Sequence, residues 1–408
     1  MVLSSSFLVL ALLWLQRPVD AFTSNDRRSE ARGDALYALK SKADQIVKSP
    51  PYKPGSMMAV TLETGRVPYG EESRKYRRTI FTYEDWVRHR NSERVRTNLK
   101  GMLFSGVVRQ LRPEVALVSA VATTVLLWNG VVVPNAPVAL PLLSMPSLPF
   151  MLSSPALGLL LVFRTNASYS RWMEARTTWA RVVSQCRNIA RMAASLADLS
   201  NPATRDALDQ LQLSTWLFAR TLMYELSGPP DKEDFEREVL ETCKENNSLL
   251  ARRILDSPSP NMSALAQLSV ALQKVPMEEK ARIETDKSII LLGECTSICE
   301  KIYSWPVPLV YTRHTARFLG LYMLLLPLAL YEALINFADT QNSPIFHGIT
   351  VVPISAIVAI FLFGIEELAF QLEEPFSIMP LQELCNDIKI GTKNITQWCV
   401  DGMESNME

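Results

Sequence analysis

The chain has 408 residues, with 42 Lys and Arg set against 42 Asp and Glu, so its formal net charge is zero. That balance lacks the basic excess that would point to nucleic acid. A mean hydropathy of +0.07 beside 21% charged residues describes a polar part joined to a concentrated apolar part.

The first element is "SSSFLVLALLWLQRPVDA", with an apolar core from Phe7 to Leu15. That core is too short to cross a bilayer and has the length of a signal-peptide core. Val19 and Ala21 fit cleavage after Ala21, so residues 1–21 read as a signal peptide, although no Lys or Arg precedes the core. Residues 22–60 carry Arg27, Arg28 and Arg32 among scattered serines. The junction "DAFTS" resembles the bipartite presequences of algae with complex plastids, in which a Phe at the cleavage point opens a transit peptide. Residues 22–60 then form the transit peptide and a disordered linker. The acids Asp26, Glu30 and Asp34 run against this reading, and secretion to a surface membrane is the alternative.

"TIFTYEDWVRHRNSERVRT" (Thr79 to Thr97) is basic and amphipathic, the pattern of a helix lying at a membrane surface. Four apolar segments follow, at 113–134, 139–163, 318–337 and 345–364, each long enough to span a bilayer. They pair into two hairpins. Neither short link, "NAPV" or "ADTQNSP", holds a base, so every Lys and Arg of the mature chain falls on one side. The positive-inside rule makes that side cytosol-equivalent, the stroma of a plastid. The middle, 165–317, has helical apolar periods punctuated by prolines. The expected architecture is an all-α membrane protein with four transmembrane helices plus a helical cytosolic or stromal domain. Strand patterns, a glycine-rich phosphate loop, a His cluster and a nucleophile elbow are all missing from the sequence, so catalysis has no visible seat and no cofactor is expected. Cys295 and Cys299, four apart, read as buried thiols rather than metal ligands, because no His accompanies them.

The second span is broken by Pro141, Pro146, Pro149 and Pro155. "SSPALGLLLVF" is expected to restart a helix, with Ser153 or Ser154 as the cap and Pro155 in the first turn. The free N–H groups of that end would form an anion site. Leu159 and Phe163 then share one face. Beyond them, "VFRTNASYSRWMEARTTW" places Arg164, Arg171 and Arg176 with only Glu174 between them. Two readings stand: the bases concentrate anions in a vestibule, or they bind neighbouring helices and fix the assembly. Trp172 and Trp179 fit packing or a membrane boundary.

Three motifs in order carry a resemblance. "FRTNASYSRWMEARTTWARVVSQCRNIAR" and "IYSWPVPLVYT" (Ile302 to Thr312) are similar to signatures of the bestrophin family of anion channels, and "FTYEDWVRHR" resembles its plant and algal branch, the voltage-dependent chloride channels of thylakoids. The resemblance covers the chain from about Thr79 to about Asp387, within a channel domain at 75–408. It implies a homopentamer in membrane lipid around one pore, passing chloride or other small anions, and no nucleic-acid partner. It also implies an apolar neck at Pro155, Leu159 and Phe163, a lower constriction at Ile289, and basic residues Arg164, Arg171 and Arg176 in the vestibule. In animal members the positions of Leu159 and Pro155 are often aromatic and aliphatic. The scattered Glu373, Glu374 and Glu383 do not supply the closely spaced oxygens of that branch's calcium clasp. The implied role is anion movement that shifts thylakoid proton-motive force from voltage to pH difference. Bicarbonate conduction, cation conduction and a non-conducting scaffold are the rival readings.

Overall fold

The computed structural model describes residues 78, 80–90, 106–228, 231–243, 247–337 and 348–405. The expected signal and transit peptides and the link between the third and fourth spans lie outside the described residues. The described residues fall into two units, one up to Gln110 and the other from Leu111 onward.

In the first unit, α1 (Tyr83–His89) opens on a reciprocal cap. The Asp85 amide donates to Thr82 Oγ1 at 3.4 Å and the Thr82 amide donates to Asp85 Oδ2 at 2.9 Å, so each residue satisfies an amide of the other. Phe81, Tyr83 and Trp86 are exposed, and Phe81 and Trp86 meet edge to face at 5.0 Å. Of the expected surface helix at 79–97, Tyr83–His89 is helical and residues 91–97 lie outside the described residues. A second short helix, α2 (Gly106–Gln110), closes the unit.

In the second unit, α3 begins at Arg112 with Pro113 in its first turn, where a missing N–H costs nothing. It runs to Leu127, continues through a π-helical turn at Trp128–Val132 and ends at Asn135. The π turn aims Asn129 and Trp128 at the connection that follows. Asn129 Nδ2 donates to the Leu143 carbonyl at 2.9 Å, the Leu143 amide returns a bond to Asn129 Oδ1 at 2.8 Å, and Trp128 Nε1 donates to the Pro141 carbonyl at 3.1 Å. The Met145 amide reaches the Leu328 carbonyl at 3.4 Å. Non-helical backbone beside a bilayer needs such partners.

α4 (Leu148–Leu196) is one continuous helix of 49 residues, about 70 Å long at 1.5 Å per residue. It starts nine residues later than the apolar segment at 139–163 suggested, because Pro141 and Pro146 keep the chain extended until Pro149 can occupy the first turn. The middle is built from α5 (Thr204–Ser227), α6 (Lys232–Cys243), α7 (Ser248–Leu255), α8 (Pro260–Lys274) and α9 (Glu279–Ser304). α10 (Leu309–Phe337), with Pro327 inside it, and α11 (Val351–Glu373) return the chain to the apolar layer, and α12 (Leu381–Glu404) packs back on the middle. Helix α5 ends at Gly228, whose φ of +72° suits only a residue without a Cβ.

Helices α3, α4, α10 and α11 are the four described helices long and apolar enough to cross a membrane. Val118, Leu157, Leu161, Leu319, Met323 and Ala359 hold them together. At Gly348 a Cβ would come within 2.6 Å of Leu126 Cδ1 and 3.1 Å of Tyr331 Cε2, so the chain entering α11 passes close to α3 and α10 only because a glycine stands there. The middle closes on a larger core that includes Trp179, Trp216, Phe218 and Leu268. No strand occurs among the described residues; the one β contact there is a bridge between Ala197 and Met277.

Candidate functional site

α4 belongs both to the apolar layer and to the helical middle, so one rigid rod carries the expected neck and the expected bases. Its two faces differ. Leu157, Leu161, Arg164, Ser168 and Ala175 are buried against the chain's own helices. The other face is bare: Leu152 is 72% exposed, Leu159 54% and Phe163 55%, and Pro155 is exposed with them. Little of this apolar stretch is covered within the protomer, which leaves the stripe for lipid or for further copies of the chain. Pro155, Leu159 and Phe163 thus share one uncovered apolar face.

The helix end differs from expectation. Ser153 and Ser154 do not cap it. They sit in its second turn, and Ser153 Oγ donates back to the Pro149 carbonyl at 2.7 Å. Pro155 lies inside the helix instead of opening it. The free N–H groups of a helix start therefore belong near Leu148, and the anion site expected at Ser153 and Ser154 is not formed there. Inside a helix proline removes its own N–H and its ring crowds the carbonyl four residues back, here that of Met151; packing of Leu157 and Leu161 on the neighbouring spans carries the helix through.

The three arginines separate. Arg164 is 5% exposed; its Nη1 lies 2.7 Å from Glu366 Oε1 and donates to the Thr312 carbonyl at 3.0 Å. Arg171 donates Nη2 to the Ile302 carbonyl at 2.6 Å, Nη1 to the Trp305 carbonyl at 2.6 Å and Nε to the Glu373 carbonyl at 3.1 Å. Both are tethers between helices, so the vestibule role is corrected for them: each guanidinium is spent on carbonyls of other helices, with a carboxylate added at Arg164, and is not left free to attract anions. Arg176 is exposed and lies over the Trp172 ring at 5.2 Å, with Tyr169 stacked on the same ring. Trp179 is fully buried.

Ile289 is also corrected. It is 4% exposed and belongs to the core of the middle. The uncovered face of α9 presents Ile283 at 56% and Ile290 at 59%, seven residues apart. Counting along the sequence reached a residue on the packed side of α9, because spacing alone does not give a helix's azimuth. Sequence reasoning also missed Glu366. The apolar segment was closed at Gly364, and the acid just past that boundary was not read as a partner for Arg164. Of the scattered acids, Glu373 is engaged structurally, its Oε1 accepting the Val307 amide at 3.1 Å. Among the described residues no three His, Cys, Asp or Glu side chains converge on a metal position. Cys299 is buried, and burial pushes its thiol up.

Four apolar helices, a long rod with a bare apolar face, and arginine tethers midway along it define a helical membrane protein built to meet other copies or lipid through α4. The comparisons with known proteins narrow this. Residues 85–394 match the family described as Bacterial/Fungal Bestrophin protein, and the chain belongs to the bestrophin family. It is 31% identical over 324 residues to voltage-dependent chloride channel 1, chloroplastic, of Arabidopsis thaliana, covering 78% of this chain and 72% of that one. It is 33% identical over 318 residues to voltage-dependent chloride channel 2, chloroplastic, of the same plant, covering 77% and 72%. A structure of a variant bacterial bestrophin homologue from Klebsiella pneumoniae shares the fold, with a TM-score of 0.57 at 23% identity over 71% of this chain and 99% of that one.

Proposed function

We propose that this chain assembles as a homopentamer into an anion channel that passes chloride across the thylakoid membrane of a plastid. The observation that carries the reading is the bare apolar stripe of Pro155, Leu159 and Phe163 on α4, in a chain similar over most of its length to two channels named for chloride and the chloroplast. Five such stripes around one axis make an apolar neck. A ring of that kind gates by dewetting and favours anions that shed water easily. Below it, Arg176 lines the vestibule and Ile283 or Ile290 of α9 takes the lower constriction assigned to Ile289 from sequence.

The bases of the middle face the stroma, and residues 1–60 deliver the chain to the plastid. A passive pore suffices, since moving one charge through 100 mV is worth about 2.3 kcal/mol. Anion flow driven by light-dependent voltage then converts stored membrane potential into pH difference. The test is planar-bilayer recording of the purified mature protein in a KCl gradient. A reversal potential toward the chloride equilibrium supports the reading; a cation-selective reversal or no current overturns it. Substituting bicarbonate for chloride in the same bilayer decides which anion is preferred.

A further inference from the structure

Arg164 follows Phe163 directly, and successive helical residues point about 100° apart. The two therefore occupy different faces of α4: Phe163 on the bare face, Arg164 buried against α10 and α11. Whatever fixes the direction of Arg164 fixes the direction of Phe163. Around this level α4 is otherwise held by apolar packing of Leu157 and Leu161 against Leu319, Met323 and Ala359, which is non-directional and lets a helix turn or slide a little. The directional tethers come from the 311–312 corner and from α11. The Tyr311 hydroxyl donates to the Leu160 carbonyl at 3.1 Å, and Arg164 meets both the Thr312 carbonyl and Glu366.

The Arg164 joint is also under-bonded. Arg164 Nε, Glu366 Oε2 and the hydroxyl of Ser168, one turn further along the same face, are buried without a hydrogen-bond partner. Buried polar atoms normally find partners. A joint that leaves three of them open is unlike the Arg171 tether, where Nε and both terminal nitrogens each hold a carbonyl.

We infer that Arg164 and Glu366 form a positioning pair that sets the direction in which Phe163 points, and through it the selectivity of the neck. Neither side chain touches the permeating ion. The inference rests on the reading of Phe163 as a neck residue. Neutralising Glu366 weakens the ionic contact that Arg164 makes from α4 to α11 and lets the helix turn, so the Phe163 ring leaves its place in the ring of five.

The experiment is a double-mutant cycle read as the nitrate-to-chloride permeability ratio, in bilayers containing wild type, Phe163→Ala, Glu366→Gln and the double variant. Glu366→Gln keeps the volume and an acceptor for Arg164, and Glu366→Asp, which keeps the charge, should restore the wild-type ratio. The expected result is that Glu366→Gln shifts the ratio, and that the shift is lost when Phe163 is already Ala. Equal shifts in both backgrounds, or no shift while Phe163→Ala alone produces one, overturn the positioning role and leave the neck standing. A Phe163→Ala channel with the wild-type ratio overturns both. If Glu366→Gln lowers pentamer yield and the assembled channels keep the wild-type ratio, the pair is structural only and the inference falls. Arg164→Lys, which keeps the charge but not the simultaneous reach to Thr312, repeats the cycle from the other partner should the first variant not assemble.

Discussion

Arg164 and Arg171 stand seven residues apart on one face of α4, and each ends on groups that are also seven apart: the carbonyls of Thr312 and Trp305, and Glu366 and Glu373 of α11. Seven residues are two helical turns. α4 and α11 therefore run side by side in register for two turns, with the corner between α9 and α10 clamped across both. The upper rung is ionic through a carboxylate. The lower is made of backbone carbonyls alone.

The lower rung depends on the shape of a guanidinium as well as on its charge. Arg171→Lys keeps the charge but loses the planar fork that serves three carbonyls at once. Hydrogen bonds to charged groups contribute about 1.5–3 kcal/mol each, so this substitution should cost on the order of 3 kcal/mol. Denaturant unfolding in detergent should show a lowered midpoint. An unchanged midpoint would show that the carbonyls find other donors.

Arg220, fully buried in the middle, is held by Asp231 at 2.7 Å and Glu238 at 2.7 Å, with the Phe235 ring beneath its guanidinium. Burial opposes its charge, but hydrogen bonds to the two carboxylates outweigh that and raise its affinity for the proton further. Arg220→Ala strands two acids and should cost about 3–5 kcal/mol. Arg220→Met combined with Asp231→Asn and Glu238→Gln should recover most of that loss. Failure of the triple variant to recover would mean that the charges themselves, and not their pairing, specify this packing.

Five of the six cysteines are buried and Cys399 is partly exposed. Burial pushes the Cys385 thiol up to about 12 and the Cys243 thiol up to about 11. A maleimide at neutral pH should label Cys399 and spare the others until detergent unfolding releases all six. The raised values also fix a sign. The folded state keeps protons that unfolded thiols release near pH 9, so stability is intact below that pH and falls as pH rises toward about 11–12. Rapid native labelling of Cys385 would contradict its placement.

Much of this was legible in the sequence for one reason: period and length report burial directly. Four apolar runs became four long helices, and the helical periods of the middle became α5 to α9. What could not be read was azimuth and partnership. Nothing local says that Arg164 turns inward while Phe163 beside it stays bare, because the deciding partner, Glu366, is two hundred residues away. Pro155 misled for a related reason. A proline at the first turn of a new helix and a proline inside a supported one look alike until the packing around them is known.

The same limit makes Ile289 and Ile290 a sharp comparison. They are adjacent on α9, chemically identical and oppositely placed, one in the core and one 59% exposed. Ile289→Ala should open a cavity and cost about 2–5 kcal/mol, with lowered yield and unaltered ion selectivity in whatever assembles. Ile290→Ala removes no intrachain packing of that kind, so the protomer should fold as before. If the bare face of α9 lines the lower constriction, five truncated side chains widen it, and conductance should rise for anions that hold their water tightly. If that face meets a neighbouring copy instead, pentamer yield should drop while conductance per channel stays the same. Single-channel conductance measured beside the pentamer fraction for both variants separates these outcomes, and a conductance change from Ile289→Ala alone would return the constriction to the position first read from the sequence.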